Sequence, residues 1–116
     1  MSQSLKTALL QPANTAVAHT LFGVAVHIRR LSVRELMDYD DGLGKARDEN
    51  DQNAASLLGA TLILSALVDE HGKALPAASL PTAEDLLSAH DNAALFEAIR
   101  AVQRHSYGTL EDAEKN

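Results

Sequence analysis

Val24-Ala25-Val26-His27-Ile28-Arg29-Arg30-Leu31-Ser32-Val33-Arg34-Glu35 changes period part-way along, and that change decides the fold. Up to Ile28 the apolar residues alternate. Val24, Val26 and Ile28 share one face and Ala25, His27 and Arg29 the other, the period of a strand. At Ser32 a helix begins. The Ser32 hydroxyl is placed to accept from the Glu35 amide while the Glu35 carboxylate reaches back to the Ser32 amide, a reciprocal capping box. Val33, Leu36, Met37 and Leu43 then fall along one side of the predicted helix.

Towards the N-terminus, Val17 lies in a similar but weaker alternating run. Gly23 supplies a position that tolerates positive φ, so a β-hairpin or a bent pair of strands is predicted. Two strands alone are unstable in water, so helices must cover one face. Leu5 to Leu10 can form a short helical turn, which Pro12 and Asn14 stop.

Towards the C-terminus, Gly42 and Gly44 are expected to weaken the last turn of the first long helix. The polar stretch Arg47 to Gln52 then reads as a linker or a frayed helix start. Asn53 to Val68 carries no charge and is apolar around most of a helical circumference, which predicts a core helix buried on all sides. Its length falls short of the roughly 20 residues a membrane span needs. Asp69-Glu70-His71-Gly72-Lys73 makes a turn, and Pro76 and Pro81 frame a non-helical connection. Thr82-Ala83-Glu84-Asp85 opens a short helix ending near Ala89. Asp91 caps the last helix, where Leu95, Ala98, Ile99 and Val102 form the apolar stripe and Glu97, Arg100 and Arg104 face water. Gly108 is placed to end it in the left-handed conformation.

The resulting fold class is α+β and predominantly helical, with an N-terminal β-hairpin or bent strand pair packed on about four α-helices. One domain is expected over residues 1–108, followed by a flexible acidic tail over 109–116. A chain of 116 residues is long enough to bury roughly two-thirds of its unfolded surface without metal or crosslinks. With two Phe, two Tyr and no Trp, the core must be built from Leu, Ile, Val and Ala.

Composition also removes several classes of chemistry. The absence of cysteine excludes disulfides, thiolate–zinc sites and cysteine nucleophiles. The N-terminus lacks the basic region and sustained apolar run of a secretion signal, so the chain is expected to stay where it is made. Ten Lys and Arg against sixteen Asp and Glu give a net charge of −6, which repels phosphate backbones. Arg29, Arg30 and Arg34 form the main basic cluster, and they read as solvated or paired with neighbouring carboxylates. No nucleic-acid or membrane partner is expected.

Candidate catalytic and metal motifs fail on their spacing. Asp38-Tyr39-Asp40-Asp41-Gly42 resembles the start of a calcium loop, but aligning its glycine puts Met37 at the first ligand position. His19, His27, His71, His90 and His105 have no helical i, i+4 pairing that would build a metal site. Gly42-Leu43-Gly44-Lys45 follows a helix instead of a strand and lacks the Ser or Thr of a phosphate loop. No Gly-x-Ser-x-Gly elbow occurs. No catalytic, cofactor-binding or metal-binding residue is therefore assigned.

The order of elements, from the Val-rich strand through Arg30-Leu31-Ser32-Val33-Arg34-Glu35, the uncharged helix and the Asp69-Glu70-His71-Gly72 turn to Glu111-Asp112-Ala113-Glu114-Lys115-Asn116, resembles the tail assembly chaperones of long, non-contractile-tailed bacteriophages and prophages. That resemblance implies a non-enzymatic protein of the bacterial host cytoplasm, absent from the mature virion. Its implied partners are the tape-measure protein and, through a frameshift-extended form, the major tail tube protein. The resemblance also admits a homo-oligomer. Glu114-Lys115-Asn116 can be encoded GAA-AAA-AAC, which contains the slippery heptamer A-AAA-AAC. The rival reading is a small acidic adapter or antitoxin-like regulatory protein, for which negative charge and a flexible tail would serve partner capture. Phe96, which sits off the Leu95–Ile99–Val102 stripe, and Leu110 are the candidate partner-binding residues; the alternative for Phe96 is that it widens the core face.

Overall fold

The computed structural model describes residues 4–108. Leu110 and the tail expected over residues 109–116 lie outside the described residues. The elements run α1 (Leu5–Leu9), β1 (Val17–Leu21), β2 (Val24–Ile28), α2 (Val33–Asp48), α3 (Gln52–Ala66), β3 (Leu67–Val68), a single 3-10 turn (Ala77–Ser79), α4 (Ala83–Ala89) and α5 (Asn92–Tyr107). The fold is α+β, with an N-terminal β-hairpin packed against several helices.

The hairpin closes through Phe22 and Gly23, whose φ values of 53° and 76° give the left-handed pair that a two-residue turn between twisted strands requires. A bulky residue such as Phe22 pays about 1–2 kcal/mol for that conformation. Stacking of the Phe22 ring on His90, with centroids 4.1 Å apart and planes 18° apart, offsets part of it. β1 and β2 pair antiparallel with Val17 opposite Ile28 and Leu21 opposite Val24. β3 adds a short third strand beside His27 and Ile28, giving the order β1-β2-β3.

The capping box at Ser32 forms as the sequence predicts, and it has an additional partner. Glu35 accepts from the Ser32 amide at 2.8 Å and the Ser32 hydroxyl accepts from the Glu35 amide at 3.1 Å. Both carboxylate oxygens of Glu35 also take hydrogen bonds from the Arg29 guanidinium, at 3.0 and 2.7 Å. One carboxylate thereby fixes the angle between the end of β2 and the start of α2. A second box closes at Thr82 and Asp85, and Asp91 caps α5 through the Ala94 amide.

α2 departs from its predicted face. Val33 and Met37 are exposed, whereas Leu36, Tyr39 and Ala46 are buried with Leu43 packed beside them. The helix also runs unbroken through Gly42 and Gly44 to Asp48. A Cβ at position 42 would stand 2.9 Å from Leu58 Cδ1, so Gly42 permits close approach of α2 and α3 instead of weakening the helix. Between these helices the polar stretch becomes a tight reversal, with Asn50 at φ 54° and the Asp51 side chain accepting from the Ala54 amide.

α3 is not buried on all sides. Gly59, Ala60, Leu62, Ile63 and Ala66 are buried, but Thr61 and Ser65 face out. Their hydroxyls donate to the carbonyls of Leu57 and Thr61 at 2.8 and 2.9 Å, satisfied within the helix. Leu67 and Val68 leave the helix to form β3. The turn after it is held by Asp69, which accepts from the His71 and Lys73 amides. Gly72 there has φ 82°, and a Cβ would collide with Asn14. The connection framed by Pro76 and Pro81 contains the 3-10 turn, where none was expected.

The Arg29 hydrogen bonds hold the Glu35 carboxyl at about 2, below its ordinary value of 4.5. A depressed carboxyl contributes stability that is complete above its unfolded value and is lost as pH falls through the folded one. Glu35→Gln is expected to lower the thermal midpoint at neutral pH, with the difference from wild type shrinking as pH falls from about 4.5 towards 2. Thermal melts of both proteins across that range check it; a gap independent of pH would contradict it.

Candidate functional site

β1 runs antiparallel to α5, and the segments flanking the two hairpin strands are fastened to the α4–α5 unit at both ends. At one end the Thr15 carbonyl accepts from His105 Nε2 at 2.7 Å, which fixes the imidazole proton on that nitrogen, and the Leu31 amide donates to the Ser106 hydroxyl at 3.0 Å. At the other end Phe22 stacks on His90, the C-cap of α4. Between these fastenings strand and helix diverge. They leave a groove of about 820 Å³, which continues into a second hollow of about 430 Å³ under the hairpin tip.

The groove has one wall from Val17 and His19 and another from α5, where Ala93, Phe96, Glu97, Arg100, Ala101 and Arg104 face it. α5 is strongly two-sided, and this explains the placement. Leu95, Ala98, Ile99 and Val102 bury one stripe in the core, and the next stripe round the helix meets the groove. Phe96 falls in that second stripe and is 58% exposed. It does not widen the core face. Val17, at 42%, and Val24, at 58%, are the exposed apolar residues of the hairpin nearby.

The charge of this surface differs from that of the chain. Arg100 and Arg104 are exposed and make no ion pair with a described residue, while Glu97 is the one carboxylate among the lining residues. Arg29, by contrast, is fully engaged with Glu35, as the sequence suggested for the Arg29–Arg30–Arg34 cluster. Two guanidiniums beside an exposed phenyl ring can hold a segment that is partly apolar and partly acidic.

Sequence reasoning singled out Phe96 through its offset from the buried stripe, and the structure shows the ring exposed. That reasoning missed Val17, His19, Arg100 and Arg104 as partners of Phe96, because their convergence depends on β1 lying along α5. The histidines are dispersed: His105 and His90 fasten the ends of the groove, His19 lines it, and His71 lies in the exposed turn. Among the described residues no group of three His, Asp or Glu is placed to hold a metal ion. No helix among them is long and apolar enough to cross a membrane.

A second apolar surface lies on α1, where Leu5, Leu9 and Leu10 are each more than 70% exposed and no residue of the helix is buried.

Phe96→Asp is expected to leave stability within about 0.5 kcal/mol of wild type, as for surface substitutions generally, whereas Leu95→Asp, one residue away and buried, unfolds the domain. Urea titrations of the two variants check this; unfolding of Phe96→Asp would place the ring in the core.

The sequence model of the family described as "Phage tail assembly chaperone protein, TAC" matches residues 4–116, and the chain belongs to this family. No curated protein and no solved structure matches it.

Proposed function

Starting from membership of that family, we propose that the chain is a non-enzymatic tail assembly chaperone that binds the tape-measure protein, keeps it soluble and assists polymerisation of the tail tube around it. It acts in the bacterial host cytoplasm and does not enter the mature virion. The observation that carries the reading is the open groove between β1 and α5, with Phe96 exposed on a helix whose other face is fully packed.

The physical basis is mass action. A long, partly apolar chain aggregates through its exposed surfaces before its assembly partners arrive, and a protein that covers those surfaces lowers the concentration of the sticky species. Such a role needs an accessible anchor and reversible contacts. An exposed aromatic flanked by two exposed arginines supplies both without requiring bond-making chemistry.

Co-expression with the tape-measure protein of the same tail gene cluster tests the reading. The expected result is a soluble tape-measure protein that co-purifies with the wild-type chain, and a several-fold loss of soluble material with Phe96→Asp. Equal solubility with and without the chaperone would contradict it.

The same proposal includes a minor, longer product that recruits the major tail tube protein. It rests on the codons open to Glu114-Lys115-Asn116, since A-AAA-AAC lets two tRNAs re-pair after a one-base slip. The gene is expected to read GAA-AAA-AAC there, and mass spectrometry of the expressed gene with its downstream sequence is expected to find peptides spanning the shifted junction. Different codons, or the absence of such peptides, would remove the extended form from the proposal.

A further inference from the structure

We propose that the free edge of β1 takes up an extended segment of the client as a fourth strand, and that the segment carries apolar-x-acidic-x-acidic side chains towards α5. This deepens the proposed function and rests on it for the identity of the client; the binding mode rests on the geometry of the edge and the helix.

β1 pairs with β2 on one side, and among the described residues no strand pairs with its other side. Phe96, Arg100 and Arg104 of α5 line the same groove as Val17 and His19 of β1. A strand added at the usual spacing of about 4.8 Å beside β1 would lie over these α5 residues and roof them.

The hydrogen-bonding groups at the edge follow from the register. In a hairpin with a two-residue turn the residues flanking the turn form a hydrogen-bonded pair, and bonded pairs then alternate. Leu21 and Val24 flank the turn, so Leu21, His19 and Val17 bond to β2, and the amides and carbonyls of Ala18 and Thr20 point outwards. The other side of β2 supports this parity: the Arg29 amide, in phase with His27 and Ala25, donates to the Ala66 carbonyl at 2.9 Å, away from β1. Two donors and two acceptors are thus presented to an incoming chain. Natural edge strands are commonly blunted by lysine, proline or a bulge. Val17-Ala18-His19-Thr20-Leu21 contains neither residue, and its pairing register with β2 is continuous.

The helix sets the sequence of the occupant. Side chains on one face of a strand recur about every 6.7 Å, and residues four apart on a helix recur about every 6 Å. Successive inward side chains of an added strand therefore meet Phe96, Arg100 and Arg104 in turn. Phe96 selects an apolar residue, and the two exposed guanidiniums, which make no ion pair among the described residues, select carboxylates. The net charge of −6 opposes a polyanion such as single-stranded DNA at the same place, because a short peptide places its charges only against the two arginines.

Short overlapping peptides covering the tape-measure protein, titrated against the full chain by fluorescence anisotropy, supply the probes. The expected binders carry the apolar-x-acidic-x-acidic pattern and bind about tenfold more weakly to Arg100→Glu/Arg104→Glu, with affinity restored when the peptide acids are replaced by lysine. Hydrogen exchange of the complex is expected to slow at the Ala18 and Thr20 amides and to stay unchanged at His19. Both arginines are exposed, and circular dichroism of the variant is the check that it is folded. Binding peptides that leave the Ala18 and Thr20 amides exchanging as in the free protein, or that ignore the charge reversal, would overturn the strand-addition mode; so would tight binding of single-stranded DNA that displaces them. If no peptide binds while the intact tape-measure protein still co-purifies, the mode falls and the chaperone reading stands. If the intact protein does not co-purify either, both fall.

Discussion

The uncharged helix α3 is the constraint on which the rest of the structure depends. Gly59, Ala60, Leu62, Ile63 and Ala66 must all be removed from water, and no single neighbouring element covers them. α2, α4 and α5 pack around it, and its end passes directly into β3, which ties the hairpin to the same core. The small residues matter as much as the large ones. A Cβ at Gly59 would stand 2.6 Å from Ile99 Cδ1, so the closeness of α3 and α5 depends on that glycine. Because α5 spends Leu95, Ala98, Ile99 and Val102 on α3 and the core, its adjacent stripe is left to face the groove.

The hairpin is held differently, at its ends instead of along its length. β1 is exposed from Val17 to Thr20 and buried only at Leu21, and β2 becomes buried progressively towards Ile28. The Arg29–Glu35 pair, the His105–Thr15 bond and the Phe22–His90 stack fix where the strands begin, turn and end. Such fastening positions an edge strand without covering it. The backbone of β1 is ordered in advance, and among the described residues no strand pairs with its outer edge.

Much of the fold was legible because its signals are local. The capping boxes at Ser32 and Thr82 and the Asp91 cap need only neighbouring residues. The Asp69-to-Gly72 turn likewise needs only its own amides and a glycine at positive φ. The strand parity of Val24, Val26 and Ile28 could be read in the same way. Apart from the local 3-10 turn at Ala77–Ser79, the main misreadings involve packing. Met37 and Val33 were placed on the inner face of α2 for their apolarity, although Leu36, Tyr39, Leu43 and Ala46 form the better 3-4-3 row and are the residues that pack inwards. Gly42 was expected to weaken the last turn of α2 because nothing local shows that Leu58 needs its space. α3 reads as buried on all sides for its lack of charge, although Thr61 and Ser65 face out with their hydroxyls bonded back to the preceding turn. The groove itself was half legible: Phe96 stands out from its stripe, but Arg100, Arg104 and Val17 join it only once β1 is laid along α5.

The central claim is that the client is held in the groove between β1 and α5. Site-specific photo-crosslinking tests it most directly, with a photoreactive phenylalanine analogue placed at position 96 in one protein and at position 37 in another. Both positions are exposed and apolar, at 58% and 48%, and they lie on different helices, α5 and α2. Co-expressed with the tape-measure protein, the probe at position 96 is predicted to crosslink to it and the probe at position 37 is not. Crosslinking from position 37 with none from position 96 would contradict the account.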